Sequence, residues 1–379
     1  MLLLVVGVVL AIPGVLIRES ANTDGLFYEV HAEEVQGTPH AEAIRDVFGG
    51  PRGREAAAIF DAPVGQSLVL NPTWVAYNEQ FYGRRWVVPA VAAGVSSATG
   101  MSIGRGMQTA SMLAYALIGA AVFLLLRRRF GVWPSLTGAF GCLLLPPLYR
   151  WSVGSYVDSW GVLLETVGLL SLLLVVDRGP RWLWLWVVDM VLLSLTRDAT
   201  LLLGICAVAV AVTARSSTTA RRRSLWLVVT GALAAIRVAL LIGAPLRGFI
   251  AQNANVPADS DMHTLVHAYF HQLWYVLGKK LSYPADTAGA LAPVLYIGLV
   301  LIAGLLIAVA LRPARGDAFW VAQRGVLVGS AVLLLLSNSP QGYRLELVLV
   351  PAYAAGVALV ADRLAGRRTA RTTAAGAAA

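Results

Sequence analysis

The chain has 379 residues, of which 58% are hydrophobic and only 13% charged, with a formal net charge of +9. Soluble domains carry about a quarter of their residues as charged side chains, so this composition excludes an ordinary water-soluble fold and reads as a membrane protein. In that setting the basic excess reports which side of a bilayer the loops face, and it is no argument for nucleic acid as a partner.

Arginine supplies 28 of the 30 basic residues. That bias points to a GC-rich bacterial genome and hence to a bacterial plasma membrane. Cys142 and Cys206 both fall in apolar stretches, so neither a disulfide framework nor a thiolate metal cage is expected.

A spanning helix needs about 20 mostly apolar residues. By that ruler the sequence predicts an all-α polytopic membrane protein with about 10 transmembrane helices. They lie at roughly 1–17, 107–126, 132–148, 158–176, 182–197, 199–213, 224–243, 290–311, 318–337 and 345–361. Met1–Ile17 lacks a basic leader and a small-residue cleavage site, so it reads as an anchored first span.

The first outer loop, about 18–106, opens with a predicted helix that Asn22 or Thr23 can cap and Gly37 can end. Asp24, Tyr28 and His31 fall at i, i+4 and i+7 on it and share one face. A carboxylate just outside the bilayer, followed by a tyrosine and a histidine, can take a proton from a sugar hydroxyl; the plainer alternative is that it complements the helix dipole. The loop closes with Phe81–Pro89, where Arg84 and Arg85 stand as the chain returns to the interface. Their guanidinium forks suit phosphate oxygens, with snorkelling to lipid headgroups as the alternative.

Trp86–Met101 is apolar but short, and it carries Pro89, Gly94 and Gly100. If it crossed the bilayer, Arg127–Arg129 and Arg221–Arg223 would both lie outside, against the positive-inside rule. It is therefore laid along or partway into the outer interface. Both termini then become cytoplasmic, with 15 basic residues against Asp177, Asp317 and Asp362 on that side and a net charge of −3 outside.

Further polar residues gather at outer span ends: Arg150 beside Trp151, Asp158, Arg197 with Asp198, and Arg344 before the last span. The second outer loop, about 244–289, carries His263, His267 and His271 at i, i+4 and i+8. A pair at i, i+4 can bind zinc, which makes His263 and His267 metal candidates, but no clear third ligand follows. The alternative is an amphipathic helix on the outer interface. Inside the spans, Glu165 and Arg237 sit at matching depths as a candidate ion pair, and Asp189 lies nearer mid-membrane. Residues 1–366 read as a single transmembrane domain and 367–379 as a disordered cytoplasmic tail.

The order of these patches resembles the GT-C superfamily of integral-membrane glycosyltransferases. The patches are Asp24, Tyr28 and Ala32 at the start of a long first outer loop, then Tyr82, Arg84, Arg85 and Pro89. Asp158, Thr196–Asp198, and Arg344 with Pro351 follow. More narrowly, they resemble bacterial members that use mannosyl or other polyprenyl-phosphate donors. The resemblance implies a sugar donor on a polyprenyl phosphate and transfer with inversion to an extracytoplasmic glycan, lipid or protein acceptor. It makes Asp24 the general base, Arg84, Arg85, Arg197 and Arg344 holders of the donor phosphate, and Asp158 a partner for a sugar hydroxyl or a metal. Tyr28, Arg150, Asp198 and His31 join them as candidate site residues. Many members have a second acid directly beside the first, where this chain has Gly25; the resemblance leaves a divalent metal open. The competing classes are a transporter or lipid-linked-sugar flippase built on Glu165, Asp189 and Arg237, and a non-catalytic membrane subunit.

The topology has a direct check. A cysteine placed at Gly37 should react with a membrane-impermeant maleimide added outside intact cells, and one placed at Thr218 should not. The opposite pattern would invert every loop assignment above.

Overall fold

The computed structural model describes residues 2–16, 22–60, 72–83, 85–154, 156–197, 199–213, 218–242, 256, 260–271, 317–336 and 346–377. Among the described residues there are helices and no strands. Three stretches are long and apolar enough to cross a membrane: Ile103–Leu126, Asp158–Arg178 and Leu347–Gly366. The protein is an all-α membrane protein. The expected span at 290–311 lies outside the described residues.

The first helix, α1 (Leu2–Leu16), runs against α7 (Ile103–Leu126). The contact is backbone-close: a Cβ on Gly7 would lie 2.5 Å from the Ala116 carbonyl oxygen. Small residues allow such approach where lipid offers no hydrophobic drive between helices. At the end of α1, Arg105 donates to the Val15 carbonyl and Gln108 to the Gly14 carbonyl, each at 2.7 Å. The helix expected from residue 107 thus begins a turn earlier, and its first turn closes the exposed end of α1.

The expected span 132–148 is a broken helix. α8 (Val132–Leu143) stops, and α9 (Pro146–Val153) starts anew. The cause is local. Pro146 and Pro147 have no N–H to offer the carbonyls of Cys142 and Leu143, four residues back. Leu145 N–H bonds the Cys142 oxygen at 3.1 Å instead, and the Tyr115 hydroxyl of α7 donates to the Leu143 oxygen.

α10 (Asp158–Arg178) is the buried centre of the bundle and packs on α7, α11 (Leu183–Ser194) and α13 (Thr218–Ile242). α12 (Thr200–Thr213) lies against Ala318–Leu336, with Gly325 directly over Cys206. α11 and α12 have 12 and 14 residues, about 18–21 Å of helix, which is less than the ~30 Å hydrocarbon core. At one end of the bundle Arg128 pairs with Asp177, and Arg129 with Asp317 at 3.0 Å. Asp158 marks the other end of α10. The last helix, Val350–Ala377, continues into the tail expected to be disordered; that stretch is rich in alanine, the best helix former.

The segment expected to form the first outer loop is itself folded. α2 (Thr23–Val35) is capped by Asn22, whose side chain accepts from Gly25 N–H at 2.7 Å, and Gly37 follows it at φ 99°. α3 (His40–Gly49), α4 (Pro51–Phe60) and α5 (Pro72–Tyr82) enclose a small core of their own with α2, including Leu26, Phe27, Val47 and Phe48. Arg52 of α4 bonds Glu29 of α2 at 2.7–3.0 Å and rests on Gly104. The opposite side of α2 packs on α6 (Val87–Thr99) and α7 through Tyr28, Ala32, Val88, Ala92 and Met107. At 13 residues α6 spans about 20 Å, too short to cross the hydrocarbon core.

α6 reaches α7 only because Gly106 has no side chain. A Cβ there would lie 2.7 Å from the Ala92 carbonyl oxygen, whereas one on Gly94 would meet nothing within 4 Å. Gly106→Val is expected to cost about 1–3 kcal/mol by forcing α6 off α7, and Gly94→Ala to be neutral or stabilising by up to ~1 kcal/mol. Thermal unfolding of the two variants in detergent checks the contrast.

Candidate functional site

Asp24 occupies the first turn of α2, where the Asn22 cap leaves other amide N–H groups facing outward and a negative charge is favoured. The Tyr82 hydroxyl donates to Asp24 Oδ1 at 2.7 Å. Tyr82 stacks flat on Phe27, with centroids 4.7 Å apart, and meets Tyr28 edge-on. Burial, and then the negative charge of Asp24, push the Tyr82 pKa well above the ordinary tyrosine value. The phenol therefore keeps its proton and stays a donor to the carboxylate.

One turn along α2, the Tyr28 hydroxyl accepts from Arg85 at 2.6 Å, and the guanidinium lies 5.3 Å from the Tyr82 ring centre. A further turn on, the His31 ring packs 4.5 Å from the Trp86 ring, and its Nδ1 lies 2.8 Å from Glu34 Oε2. The shared face expected for Asp24, Tyr28 and His31 is thus occupied in register by consecutive parts of the segment leading into α6: Tyr82, Arg85 and Trp86.

The same segment reaches the other candidates. Val87 N–H bonds the Leu195 carbonyl at 3.3 Å, tying the start of α6 to the turn after α11. Two residues further on, Arg197 pairs with Asp158 at 2.7 Å, and both side chains are buried. Gly161, one turn into α10, makes room for the arginine stem; a Cβ there would lie 3.0 Å from Arg197 Cδ. Val157, immediately before Asp158, belongs to the core cluster that holds Tyr28. The segment from α2 to α6, the start of α10 and the turn after α11 therefore adjoin at one end of the bundle.

Not every candidate joins them. Arg150 is exposed in the last turn of α9. His263 and His267 stack 6.4 Å apart on a separate helix at 262–271, both exposed. Among the described residues no three His, Cys, Asp or Glu side chains stand close enough to hold a metal. Arg84, Asp198, Arg344 and the side chain of Arg237 lie outside the described residues. Two site neighbours were missing from the sequence candidates: Glu34, at the helical i+3 spacing from His31, and Trp86, next in sequence to Arg85.

Deeper in the bundle, Glu165 is fully buried, and its charged neighbours are Arg197 and Asp189. Asp189 presses Oδ2 against Gly168, one turn from Glu165. Among the described residues neither carboxyl has a hydrogen-bond partner. The side chain of Arg237, the partner expected for Glu165 from equal depth, lies outside the described residues; among those described, Arg197 is the cation that acts on Glu165.

Breaking a buried ion pair leaves one uncompensated charge. Asp158→Asn or Arg197→Gln alone should cost about 3–5 kcal/mol, while the double variant should recover most of the loss. Unfolding midpoints of the three proteins in detergent test this.

No family model, curated protein or solved structure matches the chain.

Proposed function

We propose that the protein is a GT-C-like, inverting glycosyltransferase that moves a sugar from a polyprenyl-phosphate donor to an extracytoplasmic glycan, lipid or protein acceptor. The observation that supports this reading is that the helix carrying Asp24 and Tyr28 and the segment carrying Arg85 adjoin the elements that carry the Asp158–Arg197 pair: Tyr28 packs with Val157, and Val87 N–H bonds the Leu195 carbonyl. The accompanying topology is about ten spans, with both termini in the cytoplasm of a bacterial cell and the site on the outer face.

A donor whose tail stays in the bilayer presents its phosphate at headgroup depth, where it needs cations, and its sugar just above, where it needs a base. Asp24 takes the proton of the acceptor hydroxyl as that oxygen bonds to the anomeric carbon. The bond from that carbon to the phosphate oxygen breaks, and the electron pair leaves with the lipid phosphate. Arg85 and Arg197, with Arg84 and Arg344, stabilise the charge that grows there. The Tyr82 hydroxyl orients the Asp24 carboxylate. Gly25 stands where a second acid would help hold a metal, so the arginines carry the charge of the leaving group.

Glu165 and Asp189 support a second reading, transport of a lipid-linked sugar or small solute, since ionisable residues at that depth usually line a pathway. The two readings separate by mutation. Asp24→Asn should lower transfer of radiolabelled sugar from polyprenyl-phosphate donor by about 10²–10⁴-fold with the protein still inserted in membranes, and Asp189→Asn should leave transfer near wild type. Full activity in Asp24→Asn would remove Asp24 from the site, and loss only in Asp189→Asn would favour transport.

A further inference from the structure

The transfer chemistry occupies one end of the bundle and leaves its apolar flank without a task, although three successive helices there are all short. Between Arg181 and Arg197 lie 15 residues, between Asp198 and Arg215 16, and between Arg223 and Arg237 13, whereas 21 lie between Arg105 and Arg127 along α7. At ~1.5 Å per residue the apolar stretch is about 31 Å long on α7 but only about 20–24 Å on α11, α12 and α13. The one charged residue inside the three short stretches, Asp189, is buried against Gly168 and does not reach the flank.

The three helices adjoin, with α13 packed on both α11 and α12. Each turns large apolar side chains outward at helical spacing: Trp184 and Val188 on α11, Val208 and Val212 on α12, Val229 and Leu233 on α13. A hydrocarbon core of ~30 Å exceeds such a belt by about 6–10 Å. Tilting a helix shortens its reach across the bilayer and widens the gap. Snorkelling of a flanking arginine can close the gap where the side chain is free to extend. Arg197 has no such freedom, because it is buried in its ion pair with Asp158. At that end of α11 the adjustment falls to the lipid.

We propose that the flank formed by α11, α12 and α13 seats a locally thinned bilayer and selects phospholipids with short acyl chains. Thinning draws headgroups toward the end of the bundle where Arg197 and the Val87–Leu195 hydrogen bond lie. The proposal concerns the lipid around the protein and does not depend on the glycosyltransferase reading.

The test uses the full chain reconstituted in phosphatidylcholine vesicles. Both native cysteines are buried, so single cysteines introduced by Val188→Cys, Val208→Cys and Leu113→Cys, all at exposed positions, take a small fluorophore selectively. Leu113 lies on α7 and serves as the control for a belt of ordinary length. Brominated lipids with chains of about 14 or about 22 carbons, mixed into an unbrominated lipid of about 18 carbons, then report by quenching which chains occupy each face. At positions 188 and 208 the short chain should be favoured over the long one by about 3- to 10-fold, and at position 113 the two should agree within about 2-fold. Equal occupancy by both chains at 188 and 208 would overturn the proposal, as would the same short-chain preference at 113. Absence of quenching by any brominated lipid at 188 and 208 would also overturn it, since the flank would then be covered by protein. None of these outcomes bears on sugar transfer, which is assayed separately.

Discussion

A charge at the rim of an apolar bundle must be neutralised where it stands, and the ion pair between Arg197 and Asp158 meets that requirement at 2.7 Å. The pair is buried, so neither side chain can be released cheaply to water. It fixes the turn after α11 to the first turn of α10. The Val87 N–H bond to Leu195 then brings the start of α6 to the same turn. Because α6 leads back through Trp86, Arg85 and Tyr82, α2 is registered on the bundle residue by residue. Its polar face meets a guanidinium and two aromatic rings in sequence.

Two kinds of packing support that arrangement. In the bundle and where α6 joins it, some glycines let a neighbouring backbone come close: Gly7 on Ala116, Gly325 on Cys206 and Gly106 on Ala92. Outside it, α2 to α5 rely on a compact apolar core and on the Arg52–Glu29 pair. The α2–α5 portion thus has an apolar core of its own, apart from the bundle. α2 belongs to both, with Leu26 and Phe27 in one core and Tyr28 and Ala32 in the other.

Local features were legible in the sequence because local rules produce them. The Asn22 cap, the Gly37 terminus and the common face of Asp24, Tyr28 and His31 follow from helix geometry alone. The apolar runs located most helices. Hydropathy was blind to the break at Pro146, since proline and leucine both continue an apolar stretch while only one can donate a hydrogen bond. It also passed over α3 to α5, whose apolar residues are too sparse for a membrane signal and suffice for a small core. The partnership of Arg197 with Asp158 was out of reach: both were recognised as outer-face charges, but nothing in one sequence says which distant acid an arginine will meet. For the same reason equal depth could suggest Arg237 for Glu165 but could not reveal that Arg197 and Asp189 act on it as well.

The interruption between α8 and α9 couples positions that look unrelated. A break in a helix at bilayer depth leaves carbonyl oxygens with no water to turn to. The hydroxyl of Tyr115, on a different helix, supplies the hydrogen bond to Leu143 that Pro147 cannot. The kink and the tyrosine are therefore physically coupled. A lineage that lost Pro147 would free Tyr115 to drift to phenylalanine, and a lineage that lost the tyrosine first would leave the Leu143 carbonyl stranded, so substitutions at these two sites should follow a fixed order.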